Sequence, residues 1–219
     1  MNHKTNKLYR VVKFVTTLGT RLCFRVKVIG SENYPKEGPF LLLSNHQSYF
    51  DPVLSTMSTK RELCFMARDT LFKNKHFGSM ITSLNAIPLK RGESDITAMR
   101  AILERLKKGY GICLYPEGTR TPNGHIAHVK PGFSLLSRRG NAPVVPVVID
   151  GMYEAWPKTR KFPKLGMKLI VKVGKPITPE EIKALGDRDF SEKLTNILRQ
   201  MQSEIRPLCG REPLDYPEV

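Results

Sequence analysis

From residue 40 onward, short apolar runs that stop at turn residues alternate with longer segments of helical periodicity. No other feature restricts the fold as much. Phe40, Leu41, Leu42 and Leu43 follow Gly38-Pro39 and read as a buried strand. Residues 111–115 read as a second. Residues 144–149 are β-branched but contain Pro146, which predicts an edge strand or a bulge. Residues 167–173 mix Leu169, Val171 and Val173 with lysines, as a half-exposed strand does.

Between these runs lie helix signals. Ser94 caps a predicted helix bearing Ile96, Met99, Leu103 and Leu106 and ending at Gly109. Residues 131–139 fit a short helix. Thr178, Pro179, Glu180 and Glu181 form a capping box with proline at the first helical position. Residues 189–205 form a final amphipathic helix. The expected class is α/β, a mixed sheet flanked by helices, with an N-terminal amphipathic helical element. The 219 residues suit one domain with a small appendage, and 40% hydrophobic content is that of a folded chain.

The appendage is residues 1–30, and the remaining domain is 31–219. In 1–30, Lys4, Lys7, Arg10, Lys13, Arg21, Arg25 and Lys27 are interleaved with apolar residues. Positions 8, 11, 12, 15, 18 and 22 recur at helical spacing. Such a helix lies in a bilayer interface or packs on a core with its cations in water. No run reaches the ~20 apolar residues of a spanning helix. No apolar signal-peptide core or cleavage site is evident.

Lys and Arg number 36 against 20 Asp and Glu, a net charge of +16. That surplus points to anionic partners: nucleic acid, anionic lipid or phosphorylated substrates. The basic residues form no recognition helix or aromatic RNA platform, so no specific nucleic acid is expected. Cys23, Cys64, Cys113 and Cys209 are widely spaced, which disfavours zinc and suggests reduced thiols in a cytosolic-facing protein.

Two polar clusters follow strand ends. In the first, Asn45 to Asp51, His46 and Asp51 are five residues apart. On a regular helix they would point ~140° apart, so they meet only across a turn. Together they could form a base, the carboxylate fixing the imidazole tautomer. The alternative is a structural histidine and an Asp51 N-cap before Pro52. In the second, residues 115–120, Glu117 and Arg120 are displayed after Pro116, with Gly118 and Thr119 between them. Arginine suits phosphate, and the carboxylate would meet substrate hydroxyls or orient the arginine. The alternative is a surface ion pair. Lys90, Arg91 and Lys130 are further phosphate candidates or solvated cations. His125 and His128 read as loop surface, and no metal site is expected. Ser48 lacks a nucleophile-elbow context.

The order of these motifs resembles the PlsC-like lysophosphatidic acid acyltransferase family over residues 29 to about 175. That family's N-H-x4-D motif is matched by Asn45, His46 and Asp51, and its apolar run ending in arginine by Ile87 to Arg91. Its F-P-E-G-T-R-S motif is matched by Tyr115 to Thr121, with Tyr115 for the usual Phe and Thr121 for the usual Ser. Lys130-Pro131-Gly132 and Val145-Pro146-Val147 match its remaining elements, while Asn85 stands where Gly is frequent.

The resemblance implies that His46, held by Asp51, deprotonates an acceptor hydroxyl, which attacks an acyl thioester without an acyl-enzyme. Lys90, Arg91 and Arg120 would bind the acceptor phosphate, and Glu117 and Gly118 would shape the glycerol site. The implied partners are lysophosphatidic acid, acyl-CoA or acyl carrier protein as donor, and an anionic membrane surface at the cytoplasmic face, held peripherally or monotopically. No cofactor is expected. The rivals are acylation of glycerol 3-phosphate or another lyso-lipid, and a non-catalytic anionic-lipid-binding module.

Overall fold

A computed structural model describes residues 6–89 and 95–216. Among these residues seven strands form one sheet: β1 (Arg25–Ile29), β2 (Phe40–Ser44), β3 (Leu63–Arg68), β4 (Ala86–Leu89), β5 (Gly111–Leu114), β6 (Val144–Asp150) and β7 (Lys168–Val173). Their order is β1-β7-β6-β2-β5-β3-β4. Every neighbouring pair is parallel except β6 with β7, so the sheet is mixed as expected.

The helices are α1 (Lys7–Cys23), α2 (Asp51–Ser58), α3 (Lys75–Ser83), α4 (Asp95–Lys107), α5 (Phe133–Gly140), α6 (Met152–Ala155), α7 (Pro179–Leu185) and α8 (Asp187–Ile205). Alternate residues of β2 serve opposite faces, as the pleat demands. Leu41 and Leu43 pack with Ile102, Leu106, Phe190, Leu194 and Leu198 of α4 and α8. Phe40 and Leu42 pack with Leu54 of α2, Phe24 and Tyr34. Both faces are covered, so the central strands are apolar throughout.

Several sequence expectations change here. The helical reading of residues 1–30 ends at Cys23, and residues 25–29 run as β1 beside β7. Residues 168–173 keep the expected alternation: Leu169, Val171 and Val173 are buried on one face, while on the other Lys168 is exposed, Lys172 is partly exposed and only Ile170 is buried. Pro146 is in an interior strand, not an edge, although the bulge is present. Four residues from Val144 to Val147 face five from Val173 to Ile177. The Pro146 carbonyl accepts from Gly174 N at 2.8 Å, so its hydrogen-free nitrogen faces this bulge and not β2. The proposed Ser94 cap lies outside the described residues.

The apolar stripe of α1 faces out. Leu8, Val11, Phe14, Val15, Leu18 and Leu22 are exposed, Leu22 by 80%. The other side is tied to the domain. Asn6 N donates to Glu62, Lys13 Nζ donates to the Thr59 carbonyl, and buried Tyr9 accepts from Leu63 N. Among the described residues no helix is long and apolar enough to cross a membrane.

Gly111 opens β5 directly beneath the Phe40 ring, and a Cβ there would lie 2.3 Å from Phe40 Cζ. Gly111→Val should therefore destabilise the domain by about 1–3 kcal/mol through overpacking, lowering the thermal midpoint by roughly 2–12 °C. An unchanged midpoint in differential scanning calorimetry would show that the core yields at this point.

Candidate active site

The two polar clusters meet at the carboxyl ends of the adjacent parallel strands β2 and β5. After β2 the chain passes β5 to reach β3; after β5 it passes β2 to reach β6. Connections leaving adjacent strands in opposite directions open a crevice between them.

Asn45 closes β2 by pairing like a strand residue. Its side-chain amide donates to the Ile149 carbonyl at 2.9 Å and accepts from Ile149 N at 2.8 Å. The chain then turns, and Asp51 enters α2 as its first helical residue. It is not the N-cap that the sequence suggested; Phe50 holds that position. The Asp51 carboxylate instead points back into the preceding turn. Its Oδ2 accepts from His46 Nδ1 at 2.7 Å, Gln47 N at 2.6 Å and Ser48 N at 2.7 Å. Complete burial pushes the carboxyl above its ordinary range, while the imidazole and the two backbone donors act in the opposite direction. Three donors on one oxygen match an ionised carboxylate. Engagement of Nδ1 assigns the Nδ1–H tautomer and leaves Nε2 as the basic nitrogen. The imidazole stacks on Tyr115, with ring centroids 4.0 Å apart.

The second loop locks onto the first through the His46 backbone. His46 N donates to Glu117 Oε1 at 2.8 Å, and Thr121 N donates to the His46 carbonyl at 2.8 Å. Glu117 Oε2 accepts from Ala127 N at 2.9 Å. The carboxylate is only 5% exposed and turned inward. Both of its oxygens are thus engaged by backbone donors, and it ties three loop segments together. Burial raises its pKa to about 7, against the two backbone N–H bonds and the nearby imidazole.

Arg120 leans over the Tyr49 ring, 3.3 Å from guanidinium carbon to centroid, and its Nη1 is buried with no protein acceptor. Gly118 takes φ +74°, and a Cβ there would lie 2.8 Å from Lys130 Nζ, so the ammonium sits over this bare backbone. Lys130 N also donates to the Pro116 carbonyl at 3.1 Å. Thr119 is exposed at the same turn. His46, Asp51, Glu117, Gly118, Thr119, Arg120 and Lys130 are thus carried on two interlocked loops, while Lys90 and Arg91 lie outside the described residues. Among the described residues no three His, Cys, Asp or Glu side chains gather as a metal site.

His125 is not loop surface. It packs edge-on to Tyr216, with ring centroids 5.4 Å apart. Sequence reasoning also missed Tyr49 and the backbone donor of Thr121. Both act through geometry that only the folded turns create.

A folded-state value near 7 lies above the usual 4.5 for Glu117. The native state thus keeps a proton that the unfolded chain releases. This group's contribution to stability falls as pH rises from about 4.5 to 7. The Ala127 amide should report the change in ¹⁵N-HSQC spectra, its shift titrating with a midpoint near 7. A flat Ala127 shift between pH 5 and 8 would contradict this assignment.

Residues 25–150, more than half of the chain, match the family model described as Acyltransferase. The 1-acyl-sn-glycerol-3-phosphate acyltransferase of Bacillus subtilis is 28% identical over 183 residues, 82% of this chain and 87% of that one. A chloroplastic 1-acyl-sn-glycerol-3-phosphate acyltransferase of Arabidopsis thaliana is 28% identical over 61% of this chain, which spans 38% of the plant protein. The crystal structure of PlsC, the 1-acyl-sn-glycerophosphate (LPA) acyltransferase of Thermotoga maritima, superposes with a TM-score of 0.78 at 26% identity, covering 90% of this chain and 80% of that one. With the sheet order, the clamped His46 and the matched span in agreement, the chain belongs to the acyltransferase family.

Proposed function

We propose that this protein transfers a fatty acyl group from a thioester to the free hydroxyl of lysophosphatidic acid, forming phosphatidic acid. The observation that carries the reading is the 2.7 Å contact of His46 Nδ1 with buried Asp51, beside an arginine with an unmatched buried donor. Nε2 takes the hydroxyl proton as the oxygen attacks the thioester carbonyl. The tetrahedral intermediate collapses, the carbon–sulfur bond breaks, and the imidazolium returns the proton to the departing thiolate. Asp51 holds the ring and stabilises its cationic form. Arg120 and Lys130 bind the acceptor phosphate, joined by Lys90 and Arg91. Glu117 and Gly118 shape the glycerol site, Glu117 by fixing the loops and Gly118 by leaving room beneath the Lys130 ammonium. Acyl-CoA or acyl carrier protein supplies the acyl group.

An apolar cavity of about 290 Å³ supports a lipid tail here. Phe24, Phe50 and Trp156 line it together with Gly19, Cys23 and Leu165, and Phe50 immediately precedes Asp51. The outward apolar stripe of α1, flanked by Lys7, Arg10 and Arg21, supports peripheral attachment to an anionic membrane surface.

Purified protein should form phosphatidic acid from lysophosphatidic acid and acyl-CoA or acyl carrier protein, with release of one thiol per product. His46→Ala should abolish both while leaving the circular dichroism spectrum unchanged. Thiol release without phosphatidic acid by mass spectrometry would point to another acceptor or to hydrolysis. Near-normal transfer by His46→Ala would overturn the mechanism. Serine at Phe14, Leu18 and Leu22 together should weaken cosedimentation with anionic vesicles; unchanged binding would refute attachment through α1.

A further inference from the structure

The connection between α6 and β7 carries a second apolar and basic surface. Residues 157–167 hold Lys158, Arg160, Lys161 and Lys164 and no carboxylate. The loop is firmly built. Lys164 N donates to the Ala155 carbonyl at 2.8 Å, and Gly166 N donates to the Cys23 carbonyl at 2.8 Å. Arg160 Nη1 donates to the carbonyls of Glu154 and Ala155 at 2.9 and 3.3 Å. Despite this anchoring, Phe162 is 70% and Leu165 61% exposed. The Lys161 ammonium sits 5.5 Å above the Phe162 ring. A rigid turn that presents an aromatic ring and a leucine to solvent, with cations beside them, is a surface awaiting a partner.

Its position narrows the partner. The bond from Gly166 to Cys23 sets the loop against the C-terminal end of α1, where Leu18 and Leu22 are exposed. Pro163 and Leu165 of the loop and Gly19 and Cys23 of α1 border the same apolar cavity. A second copy of the chain would bring +16 against +16, which opposes close approach. An anionic bilayer satisfies both halves of the surface, taking the apolar tips into its acyl layer and the cations onto its phosphates.

We propose that residues 157–165 form a second membrane-insertion element, which seats Phe162 and Leu165 in the acyl layer while Lys158, Lys161 and Lys164 meet anionic headgroups. Docking at two points fixes the rotation of the domain on the bilayer and opens the cavity between α1 and the loop toward lipid. The orientation rests on the proposed attachment of α1; insertion of the loop does not.

Trp156 is the sole tryptophan of the chain, so a single reporter can be moved to the tip with Trp156→Phe plus Phe162→Trp. Vesicles of phosphatidylcholine and phosphatidylglycerol with brominated acyl chains should blue-shift and quench the emission of the relocated indole, and phosphatidylcholine vesicles alone should do so far less. In the wild-type background, Phe162→Ser with Leu165→Ser should weaken cosedimentation with the anionic vesicles by on the order of tenfold or more. Both sites are exposed, so folding should be retained. Quenching at position 162 that persists with serine at Phe14, Leu18 and Leu22 would support the loop even if α1 failed. Unquenched, unshifted emission on vesicles that the protein still binds would overturn the proposal and leave α1 attachment standing. Absence of binding to any vesicle would overturn both. Concentration-dependent self-association abolished by the serine pair, with vesicle binding unchanged, would overturn it in favour of a second copy.

Discussion

One buried carboxylate oxygen organises the site. Asp51 Oδ2 collects the imidazole Nδ1–H and the backbone N–H groups of Gln47 and Ser48 within 2.7 Å. Ionised carboxylates without such donors are costly to bury. Here the donors come from the very turn whose shape they impose, so charge, turn and histidine tautomer are set together. The same residue that receives its tautomer from Asp51 is clamped at both backbone groups by the second loop, through Glu117 and Thr121. His46 is therefore held by its ring, its nitrogen and its carbonyl. Such restraint suits a base that must meet a bound hydroxyl in one orientation.

The sheet explains why these loops meet. β2 and β5 are neighbours at its centre, and their chains depart in opposite directions, which leaves a crevice at their carboxyl ends. The Asn45 amide extends the β2–β6 ladder past Ser44 and so fixes where the turn begins. On the side of the sheet that carries α2, Phe50 reaches from the His46–Asp51 turn to Phe24 and Trp156, with ring centroids 6.1 and 6.0 Å away. The polar crevice and the apolar cavity are thus joined through one residue.

Much of this was legible in the sequence. The strand β2, the capping box at Thr178 and the final helix follow from local pattern, because periodicity and turn chemistry act over a few residues; spacing allowed the His46–Asp51 contact without deciding it, and the motif resemblance pointed to it. Misreadings arose where a distant neighbour decides. Pro146 left an edge or a bulge open, and the segment after β7 makes it a bulge in an interior strand. The lysines of β7 do mark its more open face, but Ile170 of that face packs into the core and Lys172 pairs with Glu204 of α8. Glu117 read as an exposed carboxylate displayed with Arg120, yet it is buried. Its inward turn depends on backbone donors 71 residues before it and 10 after. Tyr49 gave no signal, since its role is to lie beneath an arginine from another loop. In α1 the periodicity gave the helix but could not say whether its apolar stripe faced the core or the exterior.

The central claim is that Asp51 sets the tautomer and position of His46. Asp51→Asn keeps the size of the side chain but can place an N–H against Nδ1, shifting the proton to Nε2. Steady-state acyl transfer to lysophosphatidic acid, with the ¹⁵N shifts of His46 recorded on the same variant, tests this most directly. The account requires kcat to fall by on the order of 10³- to 10⁴-fold, acceptor KM to change little, and the Nδ1 and Nε2 resonances to exchange character. Near wild-type kcat with the tautomer reversed would contradict it.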